Sequence, residues 1–385
     1  MSSGRRETAG AATAKAVNSI RPNQNARRYA ALPDPFPMQC AMALHGAQIA
    51  YETWGEPNLA GDNVILLFTG LSPSAHAASS VDDPTPGWWQ KIVGPGLAID
   101  TNRWFVVCVN ALGSCFGSTG PASINPETSM LYRLEFPELA LEDIAQAGFE
   151  TVRSLGMTQL AAVVGPSLGG SVALAFVALF PHFAKQLLVI SGTAAASPVA
   201  IALRSVQRES ILLDPQWQQG NYPVDQPPIT GIRLARKLGT ITYRSSVEWE
   251  ERFGRTRIPN QPSTANDFGP EFEIEGYLEA QAEKFARSFD ANCNLYLSRA
   301  LDRFDLSDHG PNIEVFARSG LERALVVGVE SDMLFQIAEQ ESLAAELSAG
   351  GVATTFSRLE CREGHDSFLV NTEAFETAIG SFLLA

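Results

Sequence analysis

The sequence predicts an α/β fold, a mostly parallel sheet interrupted by one inserted helical cap, and three observations carry that expectation. Continuous apolar runs recur at Asn63–Thr69 (NVILLFT), Trp104–Asn110 (WFVVCVN), Ala161–Val164, Lys185–Ser191 (KQLLVIS) and Ala324–Val329 (ALVVGV). Strands buried on both faces, as in parallel sheets, read this way. Segments of helical length alternate with them, at Leu139–Leu155, after Gly169 up to Phe180, and at Gln336–Ala349, which is the α/β rhythm. That rhythm stops between Pro198 and about Gly310, where charge rises and aromatics are scattered (Trp217, Tyr243, Trp249, Phe253, Tyr277, Phe285). The expected division is therefore core at 39–197 and 311–385, with a helical cap at 198–310 over the carboxyl edge of the sheet.

Taken in order, the chain opens with Arg5, Arg6, Lys15, Arg21, Arg27 and Arg28 against one acid, Glu7. It lacks apolar periodicity there, so residues 1–38 are read as a disordered basic arm, with an arginine-rich, acid-poor transit peptide as the alternative. No apolar h-region is present, and a secretory signal is not expected. Cys40 to Trp54 has the pattern of a hairpin turning at His45-Gly46-Ala47. The first buried run ends at Gly70 and passes into a polar loop, Leu71 to Ser80, containing Ser72, Pro73, Ser74 and His76. The second leads into a loop too glycine-rich for regular structure, Gly113 to Pro121. Past Ala349 a short strand near Thr354–Leu359 and a terminal helix complete the pattern.

Composition narrows the class. With 385 residues, 45% hydrophobic and 18% charged, the chain holds ample core for one large domain plus an insertion. A net charge of −14 argues against nucleic-acid binding. Five cysteines (Cys40, Cys108, Cys115, Cys293, Cys361) show no zinc spacing, and they point to a reducing, cytoplasmic setting. Leu160–Phe180 carries no charge, but three glycines and a proline interrupt it. A buried strand and a buried helix explain it better than a membrane span.

That stretch carries the chemistry. Gly165-Pro166-Ser167-Leu168-Gly169 is G-x-S-x-G between an apolar strand and a helix, the context of a nucleophile elbow. The alternative is a glycine-rich turn with an incidental serine. In the elbow reading the glycines allow a sharp turn and close packing, and the N–H of Leu168 at the new helix's start faces an oxyanion. A serine nucleophile needs a base oriented by a carboxylate, in the chain order Ser, acid, His. Only five histidines are available. His45 and His182 are expected at the surface and His309 lies in a polar loop. His76 sits beside a candidate oxyanion loop. His365 follows the last strand, where this topology delivers the base. For the acid, Glu330 and Asp332 both follow the strand Ala324–Val329; Asp332 is preferred, with helix capping as its bland alternative.

Four motifs in order, Gly165–Gly170, Asn110–Pro126 (NALGSCFGSTGPASINP), Leu234–Arg244 (LARKLGTITYR) and Gly364–Leu369 (GHDSFL), resemble the homoserine O-acetyltransferase family and its serine O-acyltransferase relatives. The resemblance runs from about Cys40 to the C-terminus. It implies an α/β-hydrolase fold with a helical cap, usually a homodimer, that passes an acyl group from acyl-CoA to an amino-acid hydroxyl, with no metal or redox cofactor. By this resemblance Ser167, Asp332 and His365 match the triad, and Leu168 with Phe68 the oxyanion hole, Leu71 being the generic choice for the second donor. Arg236 matches a substrate-binding arginine, Asp366 the carboxylate beside the histidine, and Tyr243 a pocket residue. An arginine can clamp a carboxylate with two hydrogen bonds.

Two departures from the homoserine type bear on specificity. Thr69-Gly70 is followed by Leu71-Ser72-Pro73 where that type has an aspartate, which resembles the serine-acylating branch. Arg204 stands where acetyl-transferring relatives tend to be neutral, and a cation there suits the carboxylate of a succinyl donor. The expectation is a serine O-succinyltransferase of the cysteine pathway. Homoserine O-acetyltransferase, in methionine synthesis, and plain ester or thioester hydrolysis are the rivals.

Overall fold

The computed structural model describes residues 26–259 and 268–385. Its main sheet has eight strands: β1 (Arg28–Ala31), β2 (Gln48–Trp54), β3 (Val64–Phe68), β4 (Phe105–Val109), β5 (Leu160–Pro166), β6 (Ala184–Ile190), β7 (Arg323–Val329) and β8 (Ala353–Leu359). They lie side by side in the order β1-β2-β4-β3-β5-β6-β7-β8. β1 and β2, at one edge, run antiparallel to their neighbours, and the other pairs are parallel. Every residue of β3 and β5 is buried, and alternation explains it. Leu66 and Phe68 point into one apolar layer, Ile65 and Leu67 into the other. Both faces are covered, so no polar position is left on these strands.

Helices α1 (Leu141–Ser154) and α2 (Leu168–Leu179) cover the first face. α2 is apolar nearly all round because it lies between the sheet and α1, and Phe149, Phe176, Phe180 and Phe183 interlock at its end. Phe176 is fully buried; Phe176→Ala would cost about 3–5 kcal/mol. The cap holds α3 (Pro198–Leu212), α4 (Ile229–Tyr243), α5 (Ser246–Arg252), α6 (Glu273–Ala286) and α7 (Ala291–Arg303). The core resumes with α8 (Asn312–Arg318), α9 (Ile337–Ala349) after β7, and the closing helix α10 (Thr372–Leu384).

The cap does not float over the sheet. Cys293, Leu297, Ala300 and Leu301 of α7 belong to the main apolar cluster. At the other end, a Cβ on Gly364 would stand 2.9 Å from the carbonyl oxygen of Tyr243, and the Ser245 hydroxyl donates to the carbonyl of Arg362. The end of α4 therefore rests on the loop that carries His365.

Two expectations need correction. The basic arm does not reach residue 38, because β1 pairs antiparallel with β2, Tyr29 opposite Ala50; residues 1–25 lie outside the described residues. The hairpin expected within Cys40–Trp54 divides differently. Ala43–Leu44 pairs with Phe36–Pro37, while β2 pairs with β1 and β4. Periodicity shows that a segment is extended, and says nothing of which edge it joins.

Candidate active site

Ser167 sits between β5 and α2 with φ 57° and ψ −126°, a backbone conformation that costs a non-glycine residue of order 1–3 kcal/mol. Close packing holds it there. A Cβ on Gly165 would lie 1.9 Å from the Gly169 carbonyl oxygen, and one on Gly169 would lie 2.6 Å from that of Phe68. Only glycine fits at either place. The turn tips the serine out of the sheet, leaving it half-buried between buried neighbours.

Ser167 Oγ is 2.8 Å from His365 Nε2, and His365 Nδ1 is 2.7 Å from Asp332 Oδ2. Asp332 and His365 are each 4% exposed. The other oxygen of Asp332 braces the turn that follows: Oδ1 accepts the N–H groups of Leu334 and Phe335 at 2.9 and 3.0 Å. The helix-capping alternative does not hold, because the next helix starts only at Ile337 after Gln336; Asp332 gives one oxygen to the turn backbone and one to the imidazole. Glu330 is outside the arrangement and pairs with Arg358 at 3.0 Å. Phe335 stacks on the imidazole at 4.8 Å, and Phe368 meets it edge-on at 5.6 Å. Burial pulls the His365 pKa down, but the charge and hydrogen bond of Asp332 outweigh it, and the net direction is up. This is a base that takes a proton readily once a nucleophile offers one.

Ser331 is a part that sequence reading passed over. Its hydroxyl donates to the Cys361 carbonyl at 2.7 Å and accepts the Gly364 N–H at 3.0 Å. It therefore ties the loop bearing Asp332 to the loop bearing His365. A serine beside an acid carries no sequence signal of that role.

Leu168 opens α2, so its N–H has no acceptor within the helix. Phe68 closes β3, and the carbonyls of Phe68 and Thr69 abut Gly169. Beyond them, a Cβ on Gly70 would lie 3.9 Å from Ser167 Cβ and 3.7 Å from Pro73 Cδ. Leu71, Ser72 and Pro73, half-buried, continue this wall.

The cap supplies the cations. The Arg236 guanidinium lies over the Tyr243 ring at 5.3 Å and the Phe285 ring at 4.6 Å, with Nε buried and without a partner. Tyr243 is 5.9 Å from the His365 ring, and burial raises its phenol pKa. Asp366 faces Arg244 Nε at 3.2 Å, and Arg244 also holds Glu248 at 2.8 Å. Asp366 thus already has a cation beside it, one the sequence did not single out. Arg204 is not simply free for a ligand either. Its Nε donates to Asp302, which Arg208 shares at 2.6 Å, and its Nη2 is buried without a partner. Its positive charge acts to lower the His365 and Tyr243 pKa values, as the smallest of the causes at each. His45 and His182 are exposed, and His309 pairs with Glu142 at 3.0 Å.

A sheet in this order, with Ser, Asp and His delivered in this sequence at its strand ends, defines an enzyme of the α/β-hydrolase class. The family model described as "alpha/beta hydrolase fold" matches residues 63–372. A serine O-succinyltransferase of Stenotrophomonas maltophilia (strain K279a) is 52% identical over 358 residues, 92% of this chain and 97% of that protein. Among solved structures, esterase E22 is 29% identical with a TM-score of 0.84, over 93% of this chain and 99% of the other. A homoserine O-acetyltransferase from Bacillus anthracis has a TM-score of 0.85 at 24% identity, over 93% and 97% of the two chains; that likeness speaks for the fold. The chain belongs to the α/β-hydrolase fold family and, within it, to the family of its serine O-succinyltransferase relatives.

Among the described residues no helix is long and apolar enough to cross a membrane.

Proposed function

We propose that this protein is a serine O-succinyltransferase, moving the succinyl group of succinyl-CoA to the hydroxyl of L-serine in the cysteine pathway. The observation that carries this reading is the 52% identity to a serine O-succinyltransferase over 92% of the chain, together with Ser167, His365 and Asp332 in hydrogen-bonding order. His365 takes the Ser167 proton as the serine oxygen attacks the thioester carbonyl. The N–H groups of Leu168 and Phe68 hold the oxyanion. Collapse expels CoA thiolate, which His365 protonates, leaving a succinyl ester on Ser167. The same histidine then deprotonates the L-serine hydroxyl, which attacks that ester and releases O-succinylserine and free Ser167. In this reading Arg236 holds the amino-acid carboxylate. Asp366 and Tyr243 line the ammonium side, and Gly70 to Pro73 shape the acceptor pocket. Arg204 receives the succinyl carboxylate through its unpartnered Nη2.

The enzyme acts as a cytoplasmic homodimer, without a metal or redox cofactor. Apolar side chains left exposed on the cap, Val206, Leu213 and Leu234 at 50%, 73% and 55%, support a second copy as their cover. CoA release, with succinyl- or acetyl-CoA crossed against L-serine and L-homoserine, tests the reaction. Sustained turnover only with succinyl-CoA and L-serine is expected. Preference for acetyl-CoA with L-homoserine, or equal turnover with no amino acid, would replace this reading by the acetyltransferase or the hydrolase.

A further inference from the structure

The loop after β3 holds a buried ionic cluster that the reaction above does not use. His76, Glu52 and Asp83 are 4%, 4% and 7% exposed. His76 Nδ1 lies 2.7 Å from Glu52 Oε2, and Nε2 lies 2.8 Å from the Thr85 carbonyl oxygen. A carboxylate and a carbonyl only accept, so both ring nitrogens must donate, and that form is the imidazolium. A second carboxylate oxygen, Asp83 Oδ2, is 3.9 Å from Nδ1. The Thr85 hydroxyl donates to Asp83 Oδ1 at 2.6 Å, which turns its lone pairs toward Nε2 at 3.3 Å. The carboxylates around the ring are Glu52 from β2 and Asp83 from the loop itself, and Cys108 of β4 stands opposite Glu52 in the sheet. Burial drives the Cys108 thiol pKa far up, with Glu52 adding to it, so that thiol stays neutral. Burial also pulls His76 down, but the Glu52 hydrogen bond, the Thr85 carbonyl and the two carboxylate charges raise it further.

From the backbone of this residue, hydrogen bonds and the chain itself lead to the wall of the active site. The His76 N–H donates to Ser74 Oγ at 3.3 Å, and its carbonyl accepts the Trp88 N–H at 3.2 Å. The Ser74 carbonyl accepts Trp88 Nε1 at 3.0 Å, and the Pro73 carbonyl accepts Asn110 Nδ2 at 3.4 Å. Pro73 in turn borders Gly70, and Gly70 borders Ser167. We propose that His76 is a positioning residue: as a buried imidazolium clamped to Glu52 and Thr85, it holds Gly70–Pro73 against the nucleophile, and the neutral ring releases them. A neutral imidazole would turn a lone pair onto either Glu52 or the Thr85 carbonyl, so one side of the clamp must open. This rests on Ser167 as the nucleophile. It adds a second ionisation to the reaction: kcat/KM rises as His365 loses its proton and falls again as His76 loses its own.

The test joins a spectroscopic titration to a rate profile, both on the full chain. Ring-15N-labelled histidines are followed by NMR across the neutral range, with His76→Gln identifying the signal. Both ring nitrogens of His76 should be protonated at neutral pH and titrate above the ordinary value of about 6.5. Glu52→Gln should lower that titration and the alkaline fall of kcat/KM together, by about one pH unit. His76→Gln should abolish the fall and lower the plateau by about ten- to a hundredfold. A neutral ring at neutral pH in the unmodified protein overturns the proposal, and that result needs no variant to fold. So does an alkaline limb that stays in place while the ring titration moves. Ser167→Ala separates the two readings: activity retained there would remove the nucleophile, while the protonation of His76 would stand or fall on the NMR alone.

Discussion

The nucleophile corner and the group of cap cations around Tyr243 are built in opposite ways. At the corner the triad side chains have settled partners: Ser167 to His365, His365 to Asp332, the second Asp332 oxygen to two backbone N–H groups. The groups stand on strand ends and tight loops, and Ser331 straps two of those loops together. In the cap group, cations outnumber their partners. Arg204 and Arg208 share Asp302, Arg244 divides itself between Glu248 and Asp366, and Arg236 rests on two aromatic rings. A group that moves protons needs one geometry before substrate arrives. A group that recognises an anion needs donors still unspent, and a buried unpaired guanidinium nitrogen is costly until a ligand satisfies it.

The comparison breaks most visibly at the corner. Ser167→Ala and His365→Ala should each lower the rate by about 10⁴- to 10⁶-fold, and the double variant should be little worse, because the members act as a unit. Asp332→Asn should cost about 10³- to 10⁴-fold. It should also lower the acid limb of kcat/KM. His365 must be neutral to act as base, its pKa is raised by Asp332, and removing that charge lets the base form at lower pH. Glu330→Gln should leave both rate and limb near normal. Steady-state rates across pH measure all of this, and near-normal turnover in Ser167→Ala would end the covalent mechanism.

A smaller effect should separate the two halves of the cap group. Arg236→Lys is expected to slow transfer to the amino acid by about ten- to a hundredfold while leaving acyl-enzyme formation within a fewfold, since a point charge cannot reproduce a two-pronged contact. Single-turnover CoA release against product formation reads the two steps. Equal loss in both would move Arg236 to the CoA side.

An effect of the same size, confined to one donor, concerns Arg204. Arg204→Ala should lower the rate with succinyl-CoA by about one to two decades, the range of a charge-assisted hydrogen bond of roughly 1.5–3 kcal/mol, and spare acetyl-CoA. The Arg204–Asp302 pair sharpens the control. If the arginine only braces α3 against α7, both donors should suffer alike and the melting temperature should drop with them.

Much of the core was legible because its signals are local. Val64–Phe68 and Leu160–Pro166 are continuous apolar runs since both faces of those strands are covered. The elbow announced itself because only glycine tolerates the backbone approach at Gly165 and Gly169. Where a partner lies far along the chain, the same reading faltered. β2 looked like half of a local hairpin and instead found β1 upstream and β4 downstream. His76 could be noted as lying near the loop, but not that Glu52 and Thr85 would occupy both of its nitrogens.

By itself the sequence determined the parallel sheet, the serine at its elbow, and the histidine in the last loop, since strand periodicity, turn chemistry and chain order act over a few residues or are conserved by topology. The sequence favoured Asp332 and left Glu330 open; the tertiary structure shows what each of them meets. Both acids follow the same strand, but one is buried with its oxygens spoken for and the other pairs with Arg358. It also decided what Arg204 meets, a carboxylate 98 positions away on another helix. Charges find partners by proximity in space, and the field of an ion falls with distance through the fold, not along the chain.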